Sequence, residues 1–191
     1  MKKFLIPAVL ILVLAFGGFY FLKDKGFLSS NIQSDVLKSF ADWKTYDGKS
    51  TLGLTLKYPA EWTVTVDENY NDYVDFAPAK GNSFAALIIK DVNKKQTLAA
   101  WLKARDKELS EEMGGQYKDK VISTKKVKVG KLSAVQRVEY LDAAGFTLIH
   151  TYVKKDNNVF MFTLRINSGV KYSSADAKIY SKILSTVQFS K

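Results

Sequence analysis

The sequence predicts an α+β fold: a twisted antiparallel β-sheet of about six to eight strands with helices packed on it, preceded by one N-terminal transmembrane helix. Three observations predict it. Segments with two-residue apolar alternation, separated by turn residues, recur along most of the chain. Only two later segments carry helical spacing. One uncharged run of 19 residues, Phe4–Leu22, stands apart from everything else.

That run follows Lys2 and Lys3. As a helix rising about 1.5 Å per residue it would span roughly 28 Å, close to the ~30 Å hydrocarbon thickness of a bilayer. Phe4, Leu5, Leu10, Ile11, Leu12 and Leu14 form its apolar body, and Phe19, Tyr20 and Phe21 suit the far membrane–water interface. A cleaved signal peptide is the competing reading, with Ala15 and Gly17 as a small-residue exit site. The apolar run continues past that site to Leu22, which favours an uncleaved anchor. Lys2 and Lys3 then stay on the cytoplasmic side, and the rest of the chain is extracytoplasmic at the cell membrane. Residues 1–28 are thus an anchor or signal segment, residues 29–42 a polar stalk, and residues 43–191 a globular domain.

The domain opens with a strand-like stretch at Trp43–Tyr46 and an Asp47-Gly48 hairpin signal. Leu52, Leu54 and Leu56 then alternate with small or polar residues. Tyr58-Pro59-Ala60-Glu61-Trp62 reads as a turn with proline at its second position, because proline cannot continue a central strand. Trp62, Val64 and Val66 alternate again, and further strands are predicted at 73–76 and 84–90. Residues 97–113 read as a helix capped by Thr97, with Leu98, Trp101, Leu102, Leu109 and Met113 on one stripe and Gly114-Gly115 as its stop. Four more strands follow near 119–128, 131–141, 146–154 and 158–166, with turns at Val129-Gly130, Asp142–Gly145 and Asp156-Asn157. The last helix, about 174–186, carries Ile179, Tyr180, Ile183, Leu184 and Val187 at three-and-four spacing, with Asp176 suited to its positive first turn.

Composition narrows the chemistry. There is no cysteine, which excludes disulfides, thiolate metal sites, thiol nucleophiles and cysteine lipidation. The formal net charge is +10, of which residues 1–28 carry +3 and the remainder +7. Such a surface is drawn to anionic partners. Lys118, Lys120, Lys125, Lys126, Lys128 and Lys131 crowd one predicted hairpin and are the candidate contact with an anionic surface. No aromatic residue lies among them, which argues against nucleic acid, since base stacking needs one. The same lysines also suit a solvated, charge-protected sheet edge.

The catalytic and metal signals fail one by one. Gly48-Lys49-Ser50-Thr51 resembles the end of a phosphate-binding loop, but the required earlier glycine is Trp43 and the context is a hairpin. Asp67, Asn69 and Asn71 have calcium-loop spacing, yet Asp72 and Pro78 stand where a glycine and a bidentate glutamate are needed. His150 is the single histidine and shares a strand face with Phe146, Leu148 and Tyr152, as a half-buried structural residue would. No Gly-x-Ser-x-Gly elbow accompanies it. Glu108, Glu111 and Glu112 read as a solvated helix face. The residues call for no cofactor and no metal.

Leu54-Thr55-Leu56-Lys57-Tyr58-Pro59-Ala60-Glu61-Trp62-Thr63-Val64 resembles the strand and Tyr-Pro-x-x-Trp turn that open PsbP-like domains. Ile183-Leu184-Ser185-Thr186-Val187-Gln188-Phe189 is similar to their closing helix and short strand. The resemblance covers about residues 43–190 and implies a PsbP/Mog1-type α/β/α sandwich. Plant and cyanobacterial members of that family are extrinsic photosystem II subunits. Many other bacterial members are anchored by a signal or lipid. This chain has no lipid-bearing cysteine, and no residue ties it to a photosystem.

The functional expectation is a non-enzymatic, membrane-tethered interaction module that binds a protein partner or stabilises a complex at the membrane surface. The alternative is a binding protein for a small or polymeric anionic ligand, held by the basic hairpin. A patch of exposed aromatic residues would favour the first, and its absence would count against it.

Overall fold

Ten strands and two helices make up the described part of the computed structural model, which covers residues 42–66, 72–79, 82–112, 119–141, 146–166 and 174–190. The proposed anchor residues, the stalk up to residue 41, Asp67, Asn69, Asn71, Met113 and Lys118 lie outside the described residues. Among those described, no helix is long and apolar enough to cross a membrane.

Strands β3 (Thr63–Val66), β4 (Tyr73–Ala77), β5 (Ser83–Ile89), β6 (Asp119–Val129), β7 (Leu132–Leu141), β8 (Phe146–Lys155) and β9 (Asn158–Ile166) form one antiparallel sheet. Their order is β3-β4-β5-β9-β8-β7-β6, so β3 and β6 are its edges. The expectation of a single sheet is corrected at the ends of the domain. β1 (Trp43–Gly48), β2 (Leu54–Pro59) and β10 (Gln188–Phe189) pair separately as a three-stranded sheet.

Turn chemistry differs from the sequence expectation in two places. Asp47-Gly48 is not a two-residue hairpin turn. Gly48 still pairs with Leu54, and its carbonyl accepts from the amides of Leu52 and Gly53, both at 2.8 Å. Leu52 belongs to this loop rather than to a strand, yet its side chain is buried. The Asp47 carboxylate competes for the turn by accepting from the Lys49 amide at 3.2 Å, which lengthens it. Pro59 takes the first, not the second, turn position: its carbonyl accepts from the Trp62 amide at 3.1 Å. Proline at a strand end costs no ladder donor that the strand needs.

The large sheet is buried on both faces at its centre, as the near-continuous apolar run of β9 requires. Phe160, Phe162, Leu164 and Ile166 face the first layer; Val159 and Met161 face the opposite one. On the first face lie α2 (Ser174–Thr186) and the small sheet, with Phe76, Phe84, Ile149, Val153, Ile183 and Leu184 in their shared core. On the second face lies α1 (Leu98–Glu112), whose Leu98, Trp101 and Leu102 pack with Leu87, Tyr152, Val159 and Met161. Thr97 caps α1, its Oγ1 accepting from the Ala100 amide at 3.2 Å.

One contact sets the position of the β6–β7 hairpin. Gly130 has φ of 54°, occupies the first place of the two-residue turn between Val129 and Leu132, and donates its amide to the Leu184 carbonyl at 2.9 Å. A Cβ at Gly130 would run into the Val187 carbonyl. The hairpin tip is thereby fixed against the end of α2.

Candidate functional site

Antiparallel register builds a polar row across the second face of the large sheet. Arg137 on β7 lies opposite His150 on β8, His150 opposite Thr163 on β9, Thr163 opposite Ala85 on β5, and Ala85 opposite Asp75 on β4. Two-residue periodicity adds Glu139 beside Arg137 on the same face. From above, α1 contributes Arg105 and Asp106.

Distances join these groups into a chain. Asp106 accepts from Arg137 Nη1 at 2.8 Å and 3.0 Å through its two carboxylate oxygens. Arg137 Nη1 lies 3.8 Å from Glu139 Oε1, and Glu139 Oε2 lies 3.5 Å from His150 Nε2. His150 Nδ1 shares a 2.8 Å hydrogen bond with Thr163 Oγ1. Arg105 sits 5.4 Å over the Tyr152 ring.

Burial decides the charges. Glu139, His150 and Thr163 are 2%, 3% and 7% exposed, so His150 is fully rather than half buried. Burial, reinforced by the positive charges of Arg105 and Arg137, lowers the His150 pKa to about 3. The Glu139 carboxylate pulls the other way, but desolvation dominates and the ring is neutral at pH 7. Burial also works against the Arg137 charge. The hydrogen bonds and charge of Asp106, with the charge of Glu139, outweigh it and hold that guanidinium above its ordinary value. Burial pushes the Tyr152 phenol well up, and its hydroxyl has no hydrogen-bonding partner among the described residues. At the far end of the row burial raises Asp75, against the opposing charge of Arg165.

A hydroxyl, an imidazole and a carboxylate in series are the parts of a nucleophilic relay. Here the series is closed to solvent. An imidazole with a pKa near 3 is also a weak proton acceptor at neutral pH. The arrangement links α1 to three strands: an exposed Asp106–Arg137 ion pair joins the helix to β7, close charge contacts run through Glu139 to His150, and one buried hydrogen bond joins His150 to Thr163. Among the described residues, no three His, Asp or Glu side chains converge as metal ligands.

Sequence reasoning missed most of this row, although two signals were present. Arg105 falls on the apolar stripe of α1, between Leu102 and Leu109. Arg137 and Glu139 share strand parity with Val135, which packs against the α1 core. A charged residue at an apolar position signals a buried polar partner. Which partner it meets depends on strand register.

The basic hairpin lies elsewhere. β6 pairs only with β7 among the described strands, and Lys125, Lys126, Lys128 and Lys131 are exposed along it or at its tip. Lys120 is the second residue of the same strand, and Lys118 precedes the described part. Val121 and Ile122 are 44% and 57% exposed, and Ile122 is the unpaired residue of a register shift between Val121 and Ser123. With Val66 on the other edge they are the large apolar side chains exposed among the described residues. No aromatic side chain is among them, so the expected aromatic docking patch does not appear on the described surface. Gly48 to Thr51 open the β1–β2 loop, and Glu108 and Glu111 are exposed on α1.

No family model and no curated protein matches the chain. Solved structures do. Cyanobacterial PsbP (CyanoP) from Synechocystis sp. PCC 6803 superposes with a TM-score of 0.57 at 11% identity, covering 85% of this chain and 98% of that one. The Ran-binding protein Mog1p of Saccharomyces cerevisiae gives 0.52 at 9% identity, over 77% and 95%. A Bacteroides thetaiotaomicron protein gives 0.54 at 17% identity over 78% of this chain, which spans about half (49%) of that longer one. At these identities the likeness is one of fold.

Proposed function

We propose that this chain, which has the PsbP-like fold, is a non-enzymatic interaction module, tethered to a membrane by residues 4–22 and displayed outside the cytoplasm. The observation that carries the binding role is β6: an 11-residue strand at the edge of the sheet, paired on one side and exposed from Val121 to Lys126. An edge of that length offers ladder hydrogen bonds to another chain. Mog1p, with the same fold, is a Ran-binding protein, which supports reading the fold as a protein-docking scaffold. The non-enzymatic reading rests on the solvent-closed Thr163, His150 and Glu139 relay. The tether rests on the length and apolarity of Phe4–Leu22 and on the lysines that precede it.

In-cell crosslinking of the full-length protein, followed by mass spectrometry, tests this reading. A dominant extracytoplasmic protein partner is expected. Cytoplasmic partners would overturn the topology, and capture of no protein would overturn the docking role.

The second reading, an anionic ligand held by the hairpin, is favoured by one feature. Four exposed lysines stand between Val121 and Leu132 with no acidic residue among them. Binding of a polyanion such as polyphosphate that collapses with added salt would support it, since exposed charges are screened within about 10 Å at 0.1 M salt.

A further inference from the structure

We infer that the β6 edge accepts an acidic polypeptide segment as an added β-strand, an inference that rests on the protein-docking reading above and names its partner class. The β6–β7 ladder closes on the two-residue turn Gly130-Lys131, with Val129 opposite Leu132. In an antiparallel ladder the backbone groups of successive residues point alternately toward and away from the neighbour. Counting from the closing pair, Thr124, Lys126 and Lys128 turn their amides and carbonyls away from β7. Those groups form a row of donors and acceptors with no strand beyond them among the described residues.

Charge selects the occupant. From Val121 to Leu132 the hairpin holds the exposed Lys125, Lys126, Lys128 and Lys131 and no acidic residue. Lys125 lies opposite Gln136 and Lys126 opposite Val135, so positive side chains project from both faces of the edge. A second copy of β6 would set lysine against lysine and be repelled. A strand with acidic residues on both faces would be attracted. At the other end Val121 and the unpaired Ile122 offer apolar surface at the bulge. The segment that fits therefore has acidic residues along its length and an apolar residue or two where it meets the bulge.

The test uses the full-length protein in detergent micelles and a peptide of about eight residues, the length of an ordinary strand, with the sequence Glu-Glu-Thr-Glu-Glu-Thr-Val-Val, which sets glutamates on both faces. Fluorescence anisotropy reads binding, and hydrogen exchange reads the amides of Thr124, Lys126 and Lys128. Expected are saturable binding, slowed exchange at those three amides, and loss of binding when alternate peptide amides are N-methylated. Thr124→Pro should abolish strand addition while leaving the fold intact, because an outward-facing edge position tolerates proline. K126E/K128E should weaken the acidic peptide by at least about tenfold. Equal binding of the N-methylated peptide, or no change in exchange, would overturn the inference. If crosslinking captures the same protein partner with wild type and with T124P, strand addition fails while the docking reading survives. If neither peptide nor protein is captured, both fail.

Discussion

His150 is neutral because three positive or buried features act on one ring: full burial, Arg105 and Arg137. The sign of the linkage follows. Its folded pKa lies below its unfolded value, so between about 3 and 6.5 the unfolded chain binds more protons than the native one. This contribution to stability is intact above pH 6.5 and is lost as pH falls toward 3, by on the order of 1 kcal/mol per pH unit. Urea unfolding between pH 7 and 4 should show that slope, and His150→Gln should flatten it while keeping a bond to Thr163. A profile unchanged by the substitution would mean the ring is not buried neutral. Arg137 and Glu139 illustrate the cost of a half-made pair. Arg137→Met removes one cation beside the buried Glu139 carboxylate and should cost on the order of 1–3 kcal/mol. R137M/E139Q should recover most of that loss, since the stranded charge is gone. An additive double variant would show that the two side chains do not interact.

Among the elements, α2 and the β6–β7 hairpin are the coupled pair. Tyr180 on α2 reaches through the first face to Thr151 Oγ1 at 2.8 Å and the Phe162 carbonyl at 2.9 Å. Thr151 in turn accepts from Gln136 Nε2 at 3.0 Å, which extends the polar bridge from the helix to β7. Gly130 closes the other end by its bond to Leu184. Gly130→Ala places a side chain at positive φ and against the Val187 carbonyl, and should cost at least about 1–2 kcal/mol. The loss should appear as a lower Tm together with faster hydrogen exchange in both β6 and the end of α2. Faster exchange in β6 alone would uncouple the hairpin from the helix. On the other face, α1 depends on its cap: Thr97→Ala should cost about 1 kcal/mol and fray its first turn, seen as faster exchange there.

At the scale of the whole molecule the prediction concerns location. The full-length chain should fractionate with membranes and resist extraction at high pH, whereas a chain beginning at Trp43 should be released into the soluble fraction. Release of the full-length chain by alkali would show that residues 4–22 do not span the bilayer. A protease added to intact cells with permeabilised outer layers should reach the domain, and protection would reverse the orientation. Within the domain, the two layers flanking the large sheet have different characters. The first face is an aromatic core, with Phe76 and Phe84 at 5.4 Å between ring centroids and Phe84 and Tyr180 at 5.8 Å. The second mixes a smaller apolar cluster with the charged row.

Local pattern determined the elements. Alternation at Leu54–Tyr58, the helical spacing of Ile179–Val187 and the Thr97 cap each specify their structure through contacts a few residues apart. They were therefore legible before any fold was known, as was the α+β class. The edge role of the lysine-rich hairpin was legible too, because a run of lysines on a strand suits a solvated edge. What the tertiary structure decided were the long-range pairings. β10 joins β2 across more than a hundred residues, which removed β1 and β2 from the large sheet. Register alone brought Arg137, His150 and Thr163 into one row, and helix docking added Asp106. Such contacts depend on which strands become neighbours, and in a single sequence every strand with an apolar face is chemically free to pair with many others.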